Sequence, residues 1–164
     1  QMARGQAERL IPLLEEMLAG QGASWRDLDR IGVGTGPGNF TGIRISVSAA
    51  RGLALALGIP ALGVSMFQAV SHGQATPHLP VVPAPRDQFY IAPPGAGMRL
   101  VAPEEARAIG LPLVHPPDPA ALAEAIARVA AHAPQTGQAP TPVYIRPADA
   151  APARDTPPVI LDDA

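Results

Sequence analysis

The chain has 164 residues, enough for one domain with an apolar core and no covalent staples. Apolar residues make up 47% and aromatics 4%, so the core must come from Leu, Ile, Val and Ala; with no cysteine, disulfides, thiol catalysis and thiolate zinc sites are excluded. A net charge of -2, with the arginines spread singly, speaks against the basic stripe of a direct RNA binder.

Residues 3–19 predict an amphipathic helix. Ala3, Ala7, Leu10, Leu14 and Met17 recur three and four apart, and Leu13 and Leu18 widen the stripe. Pro12 inside it predicts a kink or a late start, and Gly20 and Gly22 end it. Asp27–Arg30 reads as a turn and Ile31–Gly34 as a short strand. The run Gly34–Gly42 is read as neither helix nor strand. Ile43–Leu57 predicts a second helix, capped by Gly58 and stopped by Pro60. Ala61–Val64 is the next strand, with Ser65 as N-cap of a helix over 66–72. This order of elements predicts an α/β fold.

Beyond Gly73 the expected strands are 79–82, 88–92, 98–101, 113–115 and 143–146, the first two paired through their turn. Short and long helices are expected over 103–109 and 119–132, the latter with Leu122, Ile126 and Val129 on one face. The chain divides on this reading into residues 1–72, a smaller α/β part over 73–146, and an extended Pro/Ala-rich tail over 147–164. No apolar run is read as a membrane span, and a cytoplasmic setting is expected.

The segment from Gly34 to Arg51 is the most informative. A glycine loop between strand and helix can offer backbone N–H groups to an anion, or let another element approach the backbone closely. It is no Walker A, because Thr41-Gly42-Ile43 stands where Gly-Lys-Ser/Thr would be. It is no dinucleotide fingerprint, because the glycine spacing is wrong and no acidic residue follows at the right distance. A structural turn, an anion or nucleotide site and a partner contact all stay open.

The run Gly36-Pro37-Gly38-Asn39-Phe40-Thr41-Gly42-Ile43-Arg44 resembles the signature of the TsaB/YeaZ family, typically Gly-Pro-Gly-Ser-Phe-Thr-Gly-Leu-Arg. Ser48–Ala54, Gly58-Ile59-Pro60, Gly63-Val64-Ser65, the helix Ala7–Leu14 with its proline, and Val143–Pro147 extend the likeness. Asn39 replaces the usual serine, Ser46 a common glycine and Gln6 a frequent histidine, and Arg86–Tyr90 fits its family segment poorly. Family members begin with an Asp-Thr-containing strand and further strands before the first helix, which this chain is expected to lack.

The resemblance implies an actin-like/ribonuclease H-like α/β fold and a non-catalytic partner role. A TsaD-like catalytic subunit transfers a threonylcarbamoyl group to adenosine 37 of tRNA, with a TsaE-like ATPase in the complex. This subunit supports that chemistry without a cofactor, meets tRNA only through the complex, and has no membrane partner. The residues expected at the partner interface are Leu10, Leu13, Leu14 and Met17 on the first helix and Ile43, Val47, Ala50 and Arg51 on the second. A second copy would take that surface when the catalytic subunit is absent. Arg44 and Arg51 are read as rim or phosphate contacts, with surface salt bridging as the alternative.

The residues themselves give little chemistry to set against this. No two histidines among 72, 78, 115 and 132 stand at i,i+4, so no helical metal pair is present and no metal site is expected. His72 and His78 read as solvent-facing loop residues, and Ser46, Ser48, Ser65 and Ser71 show no nucleophile elbow. The rival readings are a peptidase-like enzyme of the same fold, a nucleotide-binding module using Gly36–Gly42, and a direct tRNA binder.

Overall fold

The computed structural model describes residues 6–135 and 137–145. Helix α1 covers Gln6–Gly20 with Pro12 inside it. A 3-10 turn over Trp25–Asp27 leads to β1 (Ile31–Gly34), α2 (Phe40–Leu57), β2 (Ala61–Val64) and α3 (Met66–Ser71). Then come β3 (Leu79–Ala84), β4 (Gln88–Ile91), β5 (Arg99–Val101), α4 (Pro103–Ala108), β6 (Leu113–Val114) and α5 (Pro119–His132).

Strands β1 and β2 pair in parallel from Ile31↔Ala61 to Gly34↔Val64, with α2 as the crossover between them. Parallel strands need cover on both faces, and the alternation of side chains supplies it. Val33 and Ile31 face α2, where they meet Val47, Ala50 and Ile43. Leu62 and Val64 face the other way, into a cluster with Ala69 of α3 and Ala125 and Ala130 of α5. Beside them Gly32 lets α5 come close: a Cβ there would lie 2.7 Å from Ala130 Cβ and 3.2 Å from the Ile126 carbonyl oxygen. A second sheet runs β5-β4-β3-β6, with β3 antiparallel to β4 and parallel to β6. Its core holds Leu79, Val81, Ile91, Val101 and Ala106.

Several expectations match to the residue, because their boundaries carry chemistry. The Ser65 hydroxyl accepts from Gln68 N–H while Gln68 Oε1 accepts from Ser65 N–H, closing a capping box on α3. Gly58 ends α2 in the left-handed region at φ 68°. Asp118 Oδ1 accepts from Ala120 N–H and Ala121 N–H at the start of α5.

Others need correction. Phe40–Gly42 belong to α2, because Asn39 Oδ1 accepts from Gly42 N–H and caps a helix that begins before Ile43. Residues 143–145 form no strand; Val143 N–H makes one bond, to Thr35 O, and Arg146 lies outside the described residues. The tail 147–164 also lies outside them. Helix α5, assigned from sequence to the second part of the chain, lies on β1 and β2 of the first. By length and composition α2 is apolar enough to cross a membrane, against expectation. It carries Arg44 and Arg51, and it lays Val47, Ala50 and Ala54 into the chain's own interior.

Candidate functional site

The glycine loop follows β1 directly, and its first residues are tied down by backbone. Thr35 N–H donates to Val64 O, Met66 N–H to Gly36 O, and Val143 N–H to Thr35 O, all at 2.8–2.9 Å. Thr35, Gly36 and Pro37 are buried as a result. Gly36 sits at φ +94°, and a Cβ there would strike Ile43 Cδ1 at 2.7 Å, so this position admits only glycine. The Gly36–Pro37 bond is cis. From Gly38 to Thr41 the loop turns outward and is exposed.

At the exposed end three side chains meet. The Phe40 and Tyr144 rings lie 5.0 Å apart at 37°, and the Arg44 guanidinium stands over Phe40 at 5.1 Å. Such a cation–ring contact contributes about 0.5–1 kcal/mol at a solvated site. A cleft of about 460 Å³ opens beside the loop, bounded by Pro37, Asn39, Ile43, Met66, Val82 and Pro116. No single stretch of sequence shows this cluster, because Tyr144 arrives from the far end of the described chain.

The residues expected at a partner interface divide sharply. Leu13 (39% exposed) and Met17 (61%) are open on α1, and Leu10 and Leu14 are half-buried. No described α1 side chain is buried, and none joins a core cluster. The helix is held at its C-terminal end, where Ala23 N–H donates to Leu18 O and Trp25 Nε1 donates to Glu15 Oε1. On α2 the outcome differs. Val47 (3% exposed) and Ala50 (5%) are core residues facing Val33, and Ile43 is half-buried against them. That burial takes Val47 and Ala50 off the surface open to a partner. The outward face of α2 carries Arg44, Ser48, Arg51 and Leu55 instead. The sequence hid this because α2 is apolar on most sides, so periodicity alone could not say which side faces the sheet.

Among the described residues no group of three His, Asp or Glu side chains is placed to hold a metal ion. His78 lies in the expected loop but is half-buried. Its Nε2 lies 2.8 Å from Ser71 Oγ and its Nδ1 lies 2.9 Å from Ala75 O, so it staples the loop between α3 and β3. The ring's second nitrogen meets the Ala75 carbonyl where a hydrolytic triad would place a carboxylate. His132 Nδ1 contacts Arg128 O within α5. Asp27 accepts from both the hydroxyl and the N–H of Ser24, which holds its carboxyl below the ordinary carboxylate value.

The sequence matches, over residues 1–146, the family model described as TsaD, tRNA N6-adenosine threonylcarbamoyltransferase. An uncharacterized protein of Mycobacterium tuberculosis is 35% identical, in an alignment covering 92% of this chain and 79% of its own length. The tRNA threonylcarbamoyladenosine biosynthesis protein TsaB of Escherichia coli is 37% identical over 43% of this chain and 30% of its own. A crystal structure of a Pseudomonas aeruginosa protein with similarity to the peptidase YEAZ superposes with a TM-score of 0.62 at 22% identity, covering 88% of this chain and 86% of that one.

Proposed function

The chain belongs to the family whose model is described as TsaD, tRNA N6-adenosine threonylcarbamoyltransferase, and from that premise we propose that it is a TsaB/YeaZ-type member of it, a non-catalytic partner subunit in tRNA modification. Its mixed α/β fold is the actin-like, ribonuclease H-like one of that family. The active site for threonylcarbamoyl transfer to adenosine 37 belongs to a TsaD-type subunit, and this chain docks onto it. A TsaE-type ATPase joins through that assembly, tRNA is reached only through it, and the setting is cytoplasmic. In the absence of the catalytic subunit, a second copy of this chain takes the same surface.

One observation supports the docking surface above the rest: α1 is an amphipathic helix whose apolar residues stay open or half-buried. A leucine-rich helix in water gains by burying that stripe against another chain. The partner surface is therefore Leu10, Leu13, Leu14 and Met17, extended by the outward residues of α2 around Arg44 and Arg51. The signature loop from Gly36 to Gly42 sets where α2 begins and so aims that face.

The test is binding to a TsaD-type subunit from the same organism, with tRNA modification as the second readout. Met17→Asp and Leu13→Asp, made separately, should each weaken binding by about tenfold or more, as loss of a central apolar contact does. Melting temperature should stay unchanged, since both side chains are exposed. Wild-type affinity in both variants would end this assignment of the surface. Calorimetry with ATP and ADP on the isolated chain tests the nucleotide-binding alternative, and no heat of binding is expected.

A further inference from the structure

The chain holds four methionines and no cysteine, so all its oxidisable sulfur is thioether. Among the described residues these thioethers differ in access. Met66 is half-buried at the start of α3, with its N–H bonded to Gly36 O. Met98 is 48% exposed, just before β5 and outside both helices of the proposed partner surface. Met17 is more open still, at 61%. It follows Leu14, Leu13 and Leu10 by three, four and seven residues, so it shares their stripe on α1. It also stands next to Leu18, whose carbonyl accepts from Gln21 N–H and Ala23 N–H, at the end of the helix that the chain holds in place.

We infer that Met17 is a redox-modification site through which a peroxide controls docking, an inference that rests on the α1 surface proposed above. A hydroperoxide transfers one oxygen atom to the thioether sulfur. The O–O bond breaks and an S–O bond forms; sulfur loses two electrons, and the peroxide is reduced to water or an alcohol. The product is a sulfoxide, a polar acceptor within an apolar stripe. In the free chain that group is solvated, and no described α1 side chain is buried, so the fold loses no contact. In the docked chain it must be dehydrated against an apolar partner. The whole penalty therefore falls on docking. A docked partner in turn covers the sulfur and shields it from oxidant. A thiol-dependent sulfoxide reductase reverses the step: two thiols become a disulfide, and the oxygen leaves as water.

To test this, the full chain alone is treated with hydrogen peroxide, the oxidant is removed with catalase, and a TsaD-type subunit from the same organism is added. Peptide mass spectrometry reads the sulfoxide at each methionine. Affinity should fall by about tenfold or more once Met17 is fully oxidised, tracking sulfoxide there and not at Met98. Methionine sulfoxide reductase with a dithiol should restore it. Melting temperature should not move, since the side chain is in solvent. Met17→Leu, compared with its own untreated sample, should bind equally before and after peroxide. Unchanged affinity with Met17 oxidised would overturn the inference, and so would a loss that persists in peroxide-treated Met17→Leu. Oxidising the preformed complex separates this outcome from the docking surface itself. If the bound subunit slows sulfoxidation of Met17 and not of Met98, the surface stands and the affinities judge the switch alone. Equal sulfoxidation of Met17 in free and docked chain would remove the surface, and the inference with it.

Discussion

Helices α1 and α5 have nearly the same length, 15 and 14 residues, and both carry an apolar stripe at helical spacing. Only α5 enters the core. Its stripe sets Ala125 and Ala130 among Leu122, Ile126 and Val129, and the sheet beneath it offers Gly32 and Gly34, so that Ala130 and Ile126 settle almost onto backbone. Its C-terminal carbonyls are also held: the Arg30 guanidinium donates to Ala130, Ala131 and Ala133 through Nη1. The stripe of α1 is leucine and methionine, which need a deep apolar groove, and none among the described residues receives them. Amphipathic spacing shows that a helix has a face to cover; the shape of the facing surface decides whether its own chain covers it.

That contrast can be broken or sharpened by substitution. The largest effect is expected at Val47, which the sequence had placed beside the α1 residues as a partner contact. Val47→Asp buries an unpaired carboxylate against Val33, and should cost several kcal/mol and leave the chain unfolded or molten by near-UV circular dichroism. A folded Val47→Asp variant would mean that α2 can turn its inner face outward. Next is Gly32→Val, which drives side-chain atoms into Ala130 and should destabilise by about 1–3 kcal/mol in urea unfolding, α5 losing amide protection first. Arg30→Ala removes a charged cap from α5 and should cost about 1–2 kcal/mol by the same measurement.

The smallest effect concerns the tether of α1. Asp27 secures the turn that carries Trp25, whose indole N–H reaches back to Glu15. The Asp27 carboxyl has a lowered pKa in the folded chain, so its contribution is present above the ordinary carboxylate value and is lost as pH falls through the lowered one. A carbon-detected titration should show its midpoint below the ordinary carboxylate value, and Asp27→Asn should flatten the acid limb slightly without altering the core.

Much of the first half of the chain was legible in advance because its punctuation is local. Gly34, Gly58, Pro60 and Ser65 each stop or start an element by rules that operate within a few residues, so β1, β2 and the end of α2 fall where expected. The start of α2 was missed because Thr41-Gly42 reads as loop unless Asn39 is seen to cap it. The inner face of α2 and the meeting of Phe40 with Tyr144 were beyond reach, since both depend on elements distant in sequence. Residues 143–145 have strand-like composition, but among the described residues the Val143 N–H bond to Thr35 O, just past the end of β1, does not extend into a ladder.

The bonds from Arg30 to the end of α5 join positions 100 to 103 residues apart. During synthesis, then, β1 and β2 leave the ribosome long before the helix that covers one of their faces exists. For that interval a parallel pair rich in glycine shows bare apolar surface to whatever is near, a setting in which nascent chains are prone to aggregate.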